Sequence, residues 1–207
     1  MMTFNPNAHF IASKKAHDMS SFSARPVRTL DDYQMMVALR AAVFMAEQDC
    51  PYDEEYDGND LTASHILVFQ NDRPIGTLRL RWFAGFGKLE RICILEAYRG
   101  SGAVRVMLAE AFEFAARKGY QRLVCHIQAR LWTLWSKVFH FHVRRERPSF
   151  SFSDYDYLEI DIPLELHPKA ITADSDPYLL IRPEGSWDVP GVLELSVARE
   201  KQSPKAA

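Results

Sequence analysis

The stretch from Lys88 to Ile127 constrains the fold most. An apolar, β-prone run, Lys88 to Leu95, gives way to Tyr98-Arg99-Gly100-Ser101-Gly102, a short turn holding two glycines. Beyond Gly102, the apolar residues Leu108, Ala111, Phe112 and Ala115 stand four, seven, eight and eleven positions after Val104. That spacing gives one apolar stripe on a helix, which Gly119 ends. Leu123-Val124-Cys125-His126-Ile127 then reads as a strand parallel to Lys88–Leu95, joined to it by a right-handed helical crossover. The result is a βαβ unit.

A helix that starts directly after a strand and a glycine turn presents unpaired N–H groups and the positive end of its dipole. Both suit a phosphate, and Arg99 and Arg105 add charge. Glycines at such a turn serve backbone geometry equally well. The chain has no GxxxxGK[ST] pattern, and Val104 and Arg105 after Gly102-Ala103 break GxGxxG, which argues against a nucleotide triphosphatase or a dinucleotide fold.

Elements on either side extend the unit. Arg25–Arg28 reads as a short strand, and Thr29 caps a helix with Asp32 three residues on, running to the Cys50-Pro51 step. An acidic loop, Asp53 to Asp60, precedes the strands His65–Gln70 and Ile75–Phe83, joined at Asn71-Asp72-Arg73-Pro74. A helix Ala129–Val138 and strands near Phe139–Arg144 and Tyr155–Ile162 complete a mixed, mostly antiparallel α/β sheet around the parallel βαβ unit. Tyr178–Ile181 and Val192–Val197 read as two further strands. The expected organisation is an amino-terminal arm (1–24), one domain (25–164), and a carboxy-terminal extension with a polar tail (165–207).

At 207 residues, 47% of them hydrophobic, the chain is long enough for one sizeable core. A formal charge of −2 gives no global attraction to nucleic acid or anionic membranes. No run reaches the roughly 20 apolar residues of a membrane span, and the first 24 residues lack a signal-peptide core, so a cytoplasmic protein is expected. Cys50, Cys93 and Cys125 are an odd set without CxxC spacing, which fits reduced thiols.

Leu89-Glu90-Arg91-Ile92-Cys93-Ile94, then Tyr98-Arg99-Gly100-Ser101-Gly102-Ala103 and the helix and strand after them, resemble the acyl-CoA site of the GNAT acyltransferases. Arg40, Val43-Phe44, Glu47-Gln48, Asp57, Asp60, His65 and Ile75-Gly76-Thr77-Leu78-Arg79-Leu80 look like that superfamily's amino-terminal half, in the same order. The resemblance spans residues 25–145. It implies that backbone groups of Ile92, Cys93 and Ile94 pair with the pantetheine arm, while the amides of Arg99, Gly100, Ser101, Gly102, Ala103 and Val104 bind the pyrophosphate. Arg99 and Gly102 match the family's turn motif, whereas Val104 stands where it has Gly or Ala.

The implied reaction moves an acyl group, acetyl first among them, from acetyl-CoA or another acyl-CoA to a small-molecule or peptide amine. That chemistry needs a base and a polarised carbonyl. Glu90, just before the pantetheine-binding part of the strand, is the expected catalytic base, with a structural ion pair to Arg91 or Arg79 as the competing reading. Trp135 occupies the place of the Tyr that protonates the departing sulfur in many members, and indole cannot act as that acid. A free thiol has a pKa of about 8.5, so the thiolate leaves tolerably without help. Phe139-His140 replaces the usual Gly-Phe pair.

Other clusters carry less. Asp53-x-Glu55-x-Asp57-Gly58 opens like a calcium loop but has Ser64 at the twelfth position, so no metal is expected; the same loop can instead face a cationic amine. His140 and His142 share a strand face without a third ligand. Arg144, Arg145 and Arg147 form a basic cluster without the interleaved aromatics of a nucleic-acid surface. Phe150 to Tyr157 alternates like a half-buried strand. An acyl-homoserine-lactone synthase (from Arg40, Phe44, Asp57, Asp60, Arg79 and Glu90-Arg91) and a non-catalytic acyl-CoA-binding module (from Trp135) are the rival readings. A homodimer is compatible with all of them.

Overall fold

The computed structural model describes residues 21–138, 141–144, 146–148, 150–152 and 155–196. His140, Arg145 and the expected arm up to residue 20 lie outside the described residues. The strands are β1 (Phe22–Pro26), β2 (Ser64–Gln70), β3 (Arg73–Phe83), β4 (Phe86–Ile94), β5 (Arg122–Gln128), β6 (His142–Val143), β7 (Phe150–Phe152) and β8 (Tyr155–Pro163). They form one sheet in the order β1-β2-β3-β4-β5-β8-β6, with β7 also pairing to β8. β4 and β5 run parallel, and the other pairs are antiparallel. The expected architecture, a mostly antiparallel sheet around a parallel βαβ unit, is the one observed. The first strand starts at Phe22, three residues earlier than the sequence suggests.

Helix α1 (Leu30–Arg40) begins with the expected capping box. Thr29 Oγ1 accepts from the Asp32 amide at 3.1 Å, and Asp32 Oδ2 accepts from the Thr29 amide at 3.3 Å. The helix does not run regularly to Cys50. It widens into a π turn, Ala41–Met45, closed by the Ala46 amide on the Ala41 carbonyl, and Asp49 then turns the chain with φ 54°. The acidic loop holds the single-turn helix α2 (Tyr52–Glu55) and a 3-10 turn, Asp60–Thr62.

Helix α3 (Ala103–Arg117) lies on one face of the sheet. It buries Met107, Leu108, Phe112 and Phe114 among Ile66, Leu78, Leu80, Leu89, Leu123 and Ile160, each worth about 2 kcal/mol relative to exposure. Gly119 ends it at φ 88°, with the Tyr120 amide reaching back to the Ala115 carbonyl. A smaller cluster on the opposite face joins Met36 and Leu39 of α1 to Leu67 and Phe69 of β2. Helix α4 (Trp132–Val138) follows β5 after a 3-10 turn. Among the described residues, no helix is long and apolar enough to cross a membrane.

The two strands expected near the carboxy terminus are helical instead. Asp176 accepts from the Tyr178 amide at 2.8 Å ahead of Pro177, a cap and first-turn proline that start α5 (Pro177–Ile181) despite its β-prone residues. Residues 192–196 form another helical turn, whose Glu194 carboxylate pairs with Arg182 at 2.6 Å. The chain beyond Pro163 folds back on the carboxy-terminal end of α3. Trp187 packs 5.2 Å from Phe114, Asp188 pairs with Arg117 at 3.1 Å, and the Ile171 amide bonds the Arg117 carbonyl. With about 1.5 Å of rise per residue, these contacts sit about 21 Å from the start of α3.

Candidate active site

The register of β4 changes at Arg91. Thr77 pairs with Cys93 and Arg79 with Glu90, so Arg91 and Ile92 together oppose Leu78 in a β-bulge. Arg91 takes φ 53°, a left-handed conformation that costs a non-glycine residue about 1–2 kcal/mol. Its guanidinium is held at 3.1 Å by Glu55 and 3.3 Å by Asp57, and donates to the Glu54 carbonyl at 2.6 Å. The acidic loop therefore clamps the bulge.

β4 and β5 pair only at Gly87–Leu123, Lys88–Val124 and Leu89–Cys125. From Glu90 onward β4 keeps β3 on one side, while β5 stays with β8. The two strands splay, and the edge of Ile92, Cys93 and Ile94 facing β5 is left without a strand partner. The expected pantetheine-binding residues lie on this edge. Cys93 is buried opposite Thr77, and burial pushes its thiol up to about 12, as it does that of Cys125. All three cysteines are free thiols.

The splay leads to the expected anion turn. Gly100 has φ 76° and Gly102 φ 99°, values an L side chain rarely adopts. Gly102 caps α3 without a side-chain bond, Ser101 Oγ accepts from the Ala103 amide at 3.3 Å, and its hydroxyl donates to the Tyr98 carbonyl at 2.6 Å. Among the described residues no protein acceptor meets the amides of Gly100, Gly102 or Val104. A Cβ built on Gly100 would meet nothing within 4 Å, so the turn opens outward. These features fit a pyrophosphate. Arg99, expected to add positive charge, is committed to Glu47 at 2.5 Å and to the Ile94 carbonyl at 3.1 Å; it ties the turn to the strand end.

Glu90 is largely buried, with 12% of its side chain exposed. Oε1 accepts from Arg79 at 2.8–2.9 Å and Oε2 from Lys88 at 2.9 Å, with Arg81 at 3.8 Å. The structure contains the competing ion pair, with Arg79 and not with Arg91. Arg79 and Arg40 are fully buried and share Asp60; Arg79 also binds Asp57 at 2.6 Å, and Arg40 binds Glu55. Burial alone would raise the Asp57 and Asp60 carboxyls, but the arginine hydrogen bonds outweigh it and hold both below their ordinary values. Glu55, Asp57 and Asp60 of the acidic loop thus serve guanidinium groups.

Trp135, at the place of the family's acid, packs against the main core and lies 6.4 Å from Phe141. Two residues missed in the sequence stand beside the splay. Leu123, Cys125 and Ile127 enter the α3-side core, so His126 projects from the other face. Its Nε2 lies 2.9 Å from Glu159 Oε2, and Glu159 also takes Arg144 at 2.7 Å. Arg144, expected to be solvated, is occupied there, while His142 lies exposed on β6. The alternation of β5, polar at 126 and 128 between core residues, was the signal that could have found His126.

Comparison with known proteins agrees with this fold. The model of the Acetyltransferase (GNAT) family covers residues 33–141, 109 of the 207. The Uncharacterized N-acetyltransferase YjcF of Bacillus subtilis is 32% identical over 99 residues, 48% of this chain and 71% of that protein. A crystal structure of an acyl-CoA N-acyltransferase from Pseudomonas aeruginosa aligns with TM-score 0.61 at 23% identity, over 69% of this chain and 99% of the other. A GNAT family acetyltransferase from Elizabethkingia anophelis, crystallised with acetyl-CoA bound, aligns with TM-score 0.50 at 15% identity, over 70% of this chain and 99% of the other. The chain belongs to the GNAT acetyltransferase family, enzymes that transfer an acyl group from acyl-CoA.

Proposed function

We propose that this chain transfers an acetyl group from acetyl-CoA to the primary amine of a small molecule or a peptide. The observation that carries the reading is the separation of β4 from β5 directly after Leu89 and Cys125. It leaves strand-edge amides and carbonyls of Ile92, Cys93 and Ile94 for the pantetheine arm. The amides of Gly100, Gly102 and Val104 take the pyrophosphate, those of Arg99, Ser101 and Ala103 being bonded within the turn. Acetyl-CoA supplies an activated thioester, whose carbonyl strand amides polarise. Acetyl as the group is supported by the acetyl-CoA bound in the GNAT family acetyltransferase of similar fold from Elizabethkingia anophelis.

In this reading Glu90 is a positioning residue. Its carboxylate fixes Arg79 and Lys88 beneath the bulge, and the clamp of Glu55 and Asp57 on Arg91 keeps the strand edge open. With Trp135 in place of an acid, the thiolate leaves on its own modest basicity. Residues 165–196 act as a brace on the far end of α3. The free thiols fit a reducing, cytoplasmic setting.

The test is release of the coenzyme A thiol from acetyl-CoA in the presence of a panel of amines, with the acetylated amine identified by mass spectrometry. Acetyl-CoA-dependent product is the expected result. Tight acetyl-CoA binding with no product from any amine contradicts the enzyme reading and favours a binding module.

A further inference from the structure

Resting on that reading, we propose that His126, oriented by Glu159, takes the proton from the incoming ammonium. His126 lies one residue past Cys125, the last β5 residue paired to β4, on the face away from α3. It therefore stands across the opening splay from Glu90, which follows Leu89 on the same face. A quarter of its side chain is exposed. Substrate can reach it from solvent.

Glu159 is the fixed partner. It is 11% exposed and accepts from Arg144 at 2.7 Å, with Arg147 at 3.4 Å. Burial would raise this carboxyl, but the His126 hydrogen bond and the arginine charges hold it below its ordinary value, so it is ionised. An ionised carboxylate can only accept, so the neutral imidazole carries its proton on Nε2 and leaves the Nδ1 lone pair free. Among the described residues nothing bonds Nδ1. Glu90 differs in kind: Arg79 and Lys88 occupy its two oxygens.

The groups facing His126 are Glu159 and Asp161 of β8, the latter paired with Arg122, Arg144 and Arg147 beyond β6, and Lys88 and Glu90 of β4. The Phe150 ring meets the imidazole edge-on at 4.7 Å and stacks 5.8 Å from Tyr157. That aromatic wall suits an amine carrying an apolar or aromatic substituent.

One proton of RNH3+ passes to His126 Nδ1. The amine nitrogen bonds to the thioester carbonyl carbon, the carbon–sulfur bond breaks with its electron pair on sulfur, and a second amine proton goes to the departing sulfur. The imidazolium then returns its proton to solvent, leaving amide, thiol and one released proton.

Two measurements decide. In His126→Gln, kcat should fall about 100-fold, acetyl-CoA affinity by calorimetry should stay within about two-fold of wild type, and the acidic limb of the kcat/KM profile should vanish. Long-range 1H–15N spectra of the wild-type protein should show the Nε2–H tautomer, with its Nε2–H signal shifted in Glu159→Gln as the charge-assisted hydrogen bond weakens. Retention of turnover and of the acidic limb in His126→Gln, or a proton on Nδ1 in wild type, overturns the assignment while leaving the acetyltransferase reading intact. Absence of turnover in the wild-type protein as well overturns both.

Discussion

Leu89 of β4 and Cys125 of β5 are the last parallel partners in the sheet, and one residue later the two strands separate. The cause lies on β4. The bulge at Arg91 bends the strand away and is held by Glu55 and Asp57 from the loop above it. A local backbone strain, fixed by ion pairs, thus creates the strand edge on which the proposed chemistry depends.

Gly102→Glu should weaken acetyl-CoA binding at least about ten-fold. Its φ of 99° strains any L side chain, by about 1–3 kcal/mol, and the new carboxylate repels a pyrophosphate. Gly102→Ala should lose less, since it carries the strain without the charge. Isothermal calorimetry on both variants checks the ordering.

Arg79→Met should lower unfolding stability by about 3–5 kcal/mol. Removing the fully buried guanidinium takes one cation from each of Asp57, Asp60 and Glu90, leaving Arg91, Arg40 and Lys88 as their respective closest cations. Arg79→Lys should recover only part of this, because an ammonium cannot reproduce the forked contacts. Urea unfolding measures both.

Stability should fall in two stages between about pH 7 and about pH 3, with the direction set by three groups. The Arg25 hydrogen bonds hold the Asp32 carboxyl well below its ordinary value, and Arg79 does the same for Asp57 against the opposing effect of burial. Both carboxyls are depressed in the folded state, so their contribution is complete above about 3.9 and is lost as pH drops below it. Burial pushes the His65 ring down, and among the described residues its Nδ1 has no partner while Nε2 meets the Asp60 carbonyl at 3.0 Å. Its contribution is therefore lost earlier, as pH falls below about 6.5. Thermal unfolding across this range should show two successive declines.

Trp187→Ala should cost about 2 kcal/mol and open residues 165–196 to limited proteolysis, because the half-buried indole packs on Phe114 with Arg117 over its ring. Acetyl-CoA affinity should not change, since this brace and the Gly102 turn lie at opposite ends of α3. Protease mapping and calorimetry read the two effects separately.

The helix from Ala103 and the strands beside it were legible because Val104, Leu108, Ala111, Phe112 and Ala115 repeat at helical spacing between glycines that can only be turn residues. The glycine turn ahead of it followed from the same pattern. The bulge at Arg91 left no trace, since a left-handed arginine looks like any other strand residue until its clamps are known. The full burial of Arg40 and Arg79 was not legible; it depends on carboxylates 11 to 22 residues away in sequence. Tyr178–Ile181 and the residues around 192–197 were misread as strands because β-prone side chains were weighed above the Asp176-Pro177 start signal. His126 was hidden inside an apolar run whose alternation shows which side chain leaves the core.

The account is tested most directly by amide chemical shifts of the 15N-labelled protein titrated with acetyl-CoA. It predicts large, saturable shifts at Ile92, Cys93 and Ile94 and at Gly100, Gly102 and Val104, with residues near Trp187 unmoved. Shifts confined to other surfaces, or none at saturating ligand, would contradict it.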